Sequence, residues 1–472
     1  MKTNVNPNRW KILIAVNLFT FMSVLDGSIV NIALPTMGRD LNIPMNQAEW
    51  VVSIYLIVIC AFLILFGKLG DTIGKVKIFQ LGGALFILGS LLCGFNHSLL
   101  FLLFGRTVQA IGAAMTMSTN NGIITEVFPA TERGQALGWV GSFVALGSIA
   151  GPGLGGIILG ALPWGYIFWI NVPVGIFAFI FGQMYLPKDE TTNKSRIDYL
   201  GFMSYFLAIV AFFGAIFVGQ EIGFSNVYIL LAFIIAIILF TLFVRRQRSI
   251  SYPLINFEIF KNGNFSISLL CGFLIFVTNF FFNVISPFYL QNARGMNASH
   301  AGYVLMIFPL VQVIVAPFAG RISDRVSPMM MTFIGLVIIA ISQVSYALMD
   351  LNTPLWMVMI FIGLVGFGNG IFQAPNNSIV MSSVDKKYLG IAGGLNSLAR
   401  NMGMIIGISL ATTILFSSMS SSAGYSVTTY LNDKPEIFIS GMHVTFWAAF
   451  GICILALITT GIRWYRSNEQ TK

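Results

Sequence analysis

The chain has 472 residues, of which 56% are hydrophobic and only 9% charged, against roughly 25% charged in a soluble globular protein. That balance excludes a water-soluble enzyme and predicts a polytopic membrane protein, since only a bilayer offers a solvent for so many long apolar runs. The net charge of +9 then reads as loop Lys and Arg residues attracted to anionic lipid, with no nucleic-acid partner required.

Apolar runs and the polar breaks between them predict spans at 11–36, 49–67, 78–96, 99–125, 136–161, 166–186, 199–219, 226–244, 265–290, 300–319, 329–350, 354–381, 389–416 and 441–463, fourteen in all. Each is near the ~20 residues that cross a ~30 Å hydrocarbon core as a helix. The first is too long for a secretion signal and shows no small-residue cleavage site. An even number of spans puts both termini on one side. Lys68, Lys75, Lys77, Arg133, Arg245, Arg246, Arg248, Arg321 and Arg325 lie on that side, and Arg39, Arg294 and Lys434 on the other. Both termini are therefore expected in the cytoplasm of a cell whose membrane the chain spans many times, a bacterial one. The four cysteines fall in apolar spans, and His97, His300 and His443 sit singly at span ends, so neither a disulfide nor a metal site is expected.

An ionisable group deep in a membrane costs at least about 2.5 to 3.5 kcal/mol, which makes each one a functional candidate. Asp26 lies fifteen residues into span one and Arg106 seven residues into the descending span four. At 1.5 Å per residue both sit about 20 Å from the side that carries the termini. Such a pair reads either as a proton-exchanging site, tipped by cargo arrival or a rocking motion, or as a fixed ion pair joining two spans. Glu49, at the mouth of span two, reads equally as a proton entry group or a solvated interfacial acid.

In span five, "GSIAGPGLGG" (147–156) packs five glycines and a proline into a helix. Residues 151–156 formally match a dinucleotide fingerprint, but no strand precedes them and no acid follows about 20 residues on. Gly147, Gly151 and Gly155 instead form a small-residue stripe that permits close helix approach. Pro152 bends the helix, and Gly156 extends the motif. The stripe is expected to form a tight contact at the seam between the two halves of the chain.

Those halves repeat. "GKLGDTIGK" (67–75) closes span two and "GRISDRVS" (320–327) closes span ten, which pairs Asp71 with Asp324. "NNGIITEVFPATERGQALG" (120–138) aligns with "NNSIVMSSVDKKYLGIAGG" (376–394), and at that offset Gly147 and Gly151 fall on Gly403 and Gly407. Duplication predicts an all-α membrane protein with an N-terminal six-helix bundle (1–190), an inserted two-helix hairpin with its linkers (191–262) and a C-terminal six-helix bundle (263–472). Two such bundles rocking around a site near the midplane are the architecture of secondary transporters.

Five motifs in order carry a resemblance to a known family: "LDGSIVNIALP" (25–35), "GKLGDTIGKVK" (67–77), "GRTVQAIGA" (105–113), "GSIAGPGLGG" and "WGYIFWINVPVG" (164–175). Over its full length the chain resembles the major facilitator superfamily, and in particular its fourteen-helix drug/proton antiporter branch. Thr72 and Val76 depart from the basic residues usual in the second motif.

The resemblance implies a proton-coupled exporter of amphipathic, cationic drugs or toxic compounds that confers antibiotic resistance. Its energy source would be the proton gradient, with no cofactor and no catalytic residue. It also implies a switch loop of Gly67, Asp71, Gly74 and Lys75, with Asp324 and Arg325 as the second copy, and a glycine motif that seals the pathway against proton leak. Asn31, Gln109, Asn283, Gln373, Asn377 and Arg400 are the candidates for the substrate cavity. The neutral amides of the second half either line that cavity or bond neighbouring helices. Arg400 either meets an anionic cargo or snorkels to carbonyls. The alternative function is a dedicated exporter of one endogenous cargo, such as a lipid, bile acid or metabolite. No nucleophile–base pair or metal cluster suggests an enzyme. The expected partners are a small-molecule substrate, protons and the lipid bilayer, with the chain acting as a monomer.

Overall fold

The computed structural model describes residues 6–43, 45–95, 98–189, 196–296, 298–425, 427 and 434–470. His97 and the side chains of Pro152 and Glu221 lie outside the described residues. In chain order the helices are α1 (Arg9–Asp40), α2 (Met45–Ile73), α3 (Lys75–Cys93), α4 (Leu99–Val127), α5 (Ala130–Ala161), the short α6 (Tyr166–Trp169) and α7 (Asn171–Tyr185). There follow α8 (Tyr199–Ile222), α9 (Val227–Ser249), α10 (Gly263–Phe288), α11 (Ala298–Leu305), α12 (Ile307–Ser323), α13 (Pro328–Ala347), α14 (Leu355–Ser382), α15 (Leu389–Ala423) and α16 (Pro435–Gln470). Helix is what a bilayer demands, because each backbone donor and acceptor must be satisfied within its own segment. Among the described residues, 13 helices are long and apolar enough to cross a membrane. The remaining expected span, 136–161, falls inside α5, whose side chains at 149, 152 and 153 lie outside the described residues.

Local chemistry ends the helices where the sequence turns polar. Gly74, at φ +118°, separates α2 from α3 in a conformation that a side chain would resist. Ser98 caps α4 by accepting from the Phe101 N–H at 3.2 Å, and Asn226 caps α9 from the Tyr228 N–H at 2.9 Å.

The chain forms two compact units. One comprises Met1–Pro129, Leu146–Asn262 and Met381–Leu398, and the other comprises Ala130–Ala145, Gly263–Val380 and Ala399–Lys472. The boundaries cut through α5 after residue 145 and through α15 after residue 398, within one helical turn of equivalent positions of the repeat. Each repeat therefore lends the first part of one helix to the other unit. The inserted hairpin, α8 and α9, belongs to the first unit.

That hairpin leans on α2. The Tyr205 hydroxyl donates to the Cys60 carbonyl at 2.9 Å, and the Phe62 ring lies 5.4 Å from Phe202 and 5.5 Å from Phe206. On α9, Ile234, Ile235, Ile237 and Ile238 are exposed, a surface suited to lipid. A clasp not foreseen from the sequence closes the hairpin's base. Asp198 caps α8 through the Gly201 N–H at 3.0 Å and accepts Arg246 Nε at 2.8 Å and Gln247 Nε2 at 2.8 Å. Gln247 Oε1 in turn accepts the Leu254 N–H at 2.5 Å.

Burial opposes the charge on Asp198, but the bonds from Arg246, Gly201 and Gln247 outweigh it and hold the carboxyl below the usual carboxylate range. The clasp is therefore complete above the ordinary carboxylate pKa of about 4, and it is lost only as pH falls through the lowered value. Asp198→Asn is expected to lower the melting temperature of the purified protein by a few degrees and leave transport intact. Loss of transport with unchanged melting would assign the hairpin a part in the cycle.

Candidate functional site

In the first unit, Asp26 and Arg106 meet in a fully buried network. Arg106 Nη1 donates to Asp26 Oδ2 and, at 2.6 Å, to Gln109 Oε1. Arg106 Nε donates to the Val51 carbonyl at 2.9 Å. Gln109 Nε2 donates to Asp26 Oδ1 and to Ser90 Oγ, both at 2.8 Å, and Asn171 Nδ2 donates to Asp26 Oδ1 at 3.1 Å. The guanidinium stacks 4.1 Å from the Tyr55 ring and 5.6 Å from Phe168, a favourable site for a cation. Asp26, Arg106, Gln109 and Ser90 are each 0% exposed. The shared depth of Asp26 and Arg106 expected from the sequence is thus a direct ion pair.

Gln109 corrects the expectation. Instead of lining a cavity it is a buried bridge between the acid, the base and Ser90, because it stands one turn after Arg106 and shares its face of α4. Asn171 was missed altogether. It opens α7 inside the quoted motif "WGYIFWINVPVG", and no one-dimensional signal links it to Asp26. Glu49 is exposed near the start of α2, two residues before Val51, whose carbonyl receives Arg106.

Three carboxylates cap helix starts, where free N–H groups favour negative charge. Asp71 accepts the Gly390 N–H at 2.6 Å and the Ile391 N–H at 2.8 Å, in the first turn of α15. Lys75 Nζ lies 3.2 Å from Asp71 Oδ1 and 2.8 Å from Glu126 Oε1. Gly67 is needed for the close approach, since a methyl there would stand 2.7 Å from the Gly390 carbonyl. In the second unit Asp324 accepts the Gly134 N–H at 2.7 Å and the Gln135 N–H at 3.0 Å, early in α5. Arg325 beside it is exposed. The third carboxylate, Asp189, was unforeseen; it follows α7 and accepts the Val76 and Lys77 N–H groups at 3.0 and 3.1 Å.

Asn in place of either Asp71 or Asp324 keeps one acceptor and loses the other, about 1 to 3 kcal/mol. Asp71→Asn additionally removes the Lys75 ion pair, for which the second loop has Ser327 and Pro328 at the equivalent positions. Asp71→Asn is therefore expected to slow cycling more than Asp324→Asn. Equal loss of transport rate in vesicles would refute a special role for the first loop.

The glycine stripe makes the close contact expected of it, but with a different neighbour. A methyl at Gly147 would stand 2.9 Å from the Phe21 carbonyl, one at Gly155 3.0 Å from Ile29 Cγ1, and one at Gly151 would collide with the Ser28 side chain. The partner is α1 of the same unit rather than a seam between halves, because from Leu146 onward α5 belongs to the first unit. Ser28 Oγ bonds the Gly147 carbonyl at 3.1 Å. Gly156 faces open space. The repeat reproduces the arrangement in the second unit, where methyls at Gly403 and Gly407 would stand 2.7 Å from the Phe273 carbonyl and 2.6 Å from the Val277 carbonyl of α10.

The amides of the second unit largely bond helices. Asn279 and Asn369 exchange bonds of 2.7 and 2.9 Å between α10 and α14, and Gln312 donates to Gln373 Oε1 at 3.2 Å between α12 and α14. Asn283 donates to the Asn279 carbonyl at 2.9 Å. Asn377 and Arg400 are half-buried. In the first unit Asn31 is exposed, with its amide on the Gly27 carbonyl at 3.1 Å.

The family model described as Major Facilitator Superfamily matches residues 16–199, 191–408 and 269–472. The chain belongs to the Major Facilitator Superfamily. It is 33% identical to the riboflavin transporter RibZ of Clostridioides difficile over 454 residues, covering 96% of this chain and 97% of that protein. It is 28% identical to multidrug resistance protein 3 of Bacillus subtilis over 91% of this chain and 86% of the relative. With the multidrug export protein EmrB of Escherichia coli the identity is 29%, over 85% of this chain and 79% of the relative. The crystal structure of the human organic anion transporter MFSD10 (TETRAN) shares the fold, with a TM-score of 0.63, 12% identity and coverage of 96% and 100%.

The protein is thus a Major Facilitator transporter, and not an enzyme, that carries small molecules across a membrane it spans many times. In such a protein a sealed carboxylate–guanidinium pair is a poor device for stability, since an apolar replacement of the same shape is often as stable.

Proposed function

We propose that the protein is a proton-coupled antiporter that exports amphipathic drugs or toxic compounds from the cytoplasm by alternating access, working as a monomer with both termini inside. The observation that carries this reading is the buried Asp26–Arg106–Gln109–Asn171 network. That one carboxylate ties α1 to α4 and α7, so a proton arriving on Asp26 cancels the charge that faces Arg106 and weakens the tie. That couples protonation to helix movement. The multidrug relatives support the choice of cargo.

A second reading, export of one dedicated cargo, draws on two observations. The relative of 33% identity is named a riboflavin transporter, and the half-buried Arg400 guanidinium donates no hydrogen bond to, and forms no ion pair with, the described residues, which leaves it free to hold an anionic or carbonyl-rich cargo. The test is proton movement in liposomes containing the pure protein and a lumenal pH dye. Proton flux evoked by several unrelated hydrophobic cations supports the drug antiporter. Flux evoked by a flavin and by none of the cations supports the dedicated exporter, and cargo movement without proton flux overturns the coupling.

A further inference from the structure

In the second unit, a groove of about 720 Å³ runs between α13, α14 and α16. Its walls are apolar, from Ala340, Ile341 and Val344 on α13, Phe361 on α14, and Phe450 and Ile454 on α16. One end is shut. A methyl at Gly335 would stand 2.8 Å from the Phe372 nitrogen, and one at Gly368 2.7 Å from Ile339 Cγ1, so α13 and α14 touch there almost backbone to backbone. From that closure the groove follows α13 from Val337 to Leu348, about 16 Å at 1.5 Å per residue, which matches one leaflet of a ~30 Å core.

The other end is polar and charged in both signs. The loop after α13 brings Asp350 and Thr353 to the mouth. Arg294 Nη1 donates to the Thr353 carbonyl at 2.7 Å, and the Tyr289 hydroxyl donates to the Asp350 carbonyl at 2.7 Å. Asp350 Oδ1 accepts from the Asn352 N–H and the Thr353 hydroxyl, both at 2.9 Å. The Thr353 hydroxyl, ahead of the other donors, holds this exposed carboxyl below the usual range, so it stays charged. His443 Nε2 lies 2.7 Å from the Met349 carbonyl and ties α16 to the same rim. Trp356, 62% exposed in the first turn of α14, marks the headgroup level of a bilayer.

We propose that this groove is a binding site for a zwitterionic phospholipid with a primary-amine headgroup, its acyl chain along α13, its phosphate at Arg294 and its ammonium at Asp350. Each part of the ligand has a counterpart. The apolar walls take the chain. A guanidinium has five donors, so the bond to Thr353 leaves others for phosphate. An ammonium donates charge-assisted N–H bonds to a carboxylate, which a quaternary choline cannot do, and a glycerol headgroup offers only neutral hydroxyls, whose bonds to Asp350 are weaker.

The test is native mass spectrometry of the detergent-purified full chain with phosphatidylethanolamine, phosphatidylcholine and phosphatidylglycerol of identical acyl chains. The protein is expected to retain phosphatidylethanolamine about tenfold better than the other two, the worth of one charge-assisted bond. Asp350→Asn keeps the acceptor that Asn352 and Thr353 use, and is expected to erase the preference without changing the melting temperature of the lipid-free protein. Val344→Trp fills the groove and is expected to abolish retention of all three. Equal retention of the three lipids by the parent overturns the proposal, as does a parental pattern in both variants. Retention of tetraphenylphosphonium in place of phosphatidylethanolamine overturns it in favour of a cargo site.

Discussion

Asp26→Asn is expected to abolish proton-coupled transport and to cost the folded protein about 3 to 5 kcal/mol, because it leaves the Arg106 guanidinium buried without its counter-charge. The guanidinium would keep the Val51 carbonyl and Gln109 Oε1 as acceptors, both neutral. Removing both charges separates the two effects. Asp26→Asn combined with Arg106→Met is expected to recover most of the melting temperature, since replacing a buried pair with neutral groups of similar volume is often neutral or stabilising. Its drug-driven proton release should stay at zero. Full efflux from vesicles carrying the single variant would falsify the assignment of Asp26 as the titrating site. Full efflux by the double variant would show that the pair is merely a joint between helices.

Gly151→Leu has the second large effect. The first atom added at Gly151 meets Ser28 Oγ and Cβ, and the backbone of α1 at the Ile29 nitrogen lies 3.0 Å away. Overpacking of that sort typically costs 1 to 3 kcal/mol or drives the helices apart. The helix driven off is α1, which carries Asp26. A variant that inserts into the membrane yet dissipates an imposed pH gradient in liposomes without any drug is the expected result. Gly151→Ala with Ser28→Gly removes the collision with Ser28, leaving only the 3.0 Å approach to the Ile29 nitrogen, and is expected to hold the gradient. Gly156→Ala, in open space, serves as the neutral control. Should Gly151→Leu hold the gradient as well as the parent, the stripe is a packing contact without a sealing role.

Both experiments turn on α1, and the two faces of that helix were unequally legible. The Asp26 face could be read because charge deep in an apolar run is rare, and depth follows from counting residues along a helix of known rise. The Ser28 face could not. A stripe of small residues announces that some helix comes close, but carries no information on which one. Asp198 and Asp189 were passed over for a related reason. Both are ordinary acids in short polar stretches, and their roles depend on Arg246, Gln247 and the start of α3, which come near them only when the helices are packed.

By itself the sequence determined the membrane class, the repeat, the depth of Asp26 and Arg106, and the equivalence of Asp71 and Asp324. All of these are properties along one dimension: composition, period, spacing and offset. Tertiary structure decided the rest. It made Gln109 a bridge instead of a cavity wall, brought Asn171 to Asp26, set α5 on α1, joined the amides of the second unit helix to helix and exchanged the first parts of α5 and α15 between units. Each of those depends on the rotation of a helix about its axis and on the neighbour it meets. In a chain this uniformly apolar, the weak polar–apolar contrast around each helix leaves both to packing.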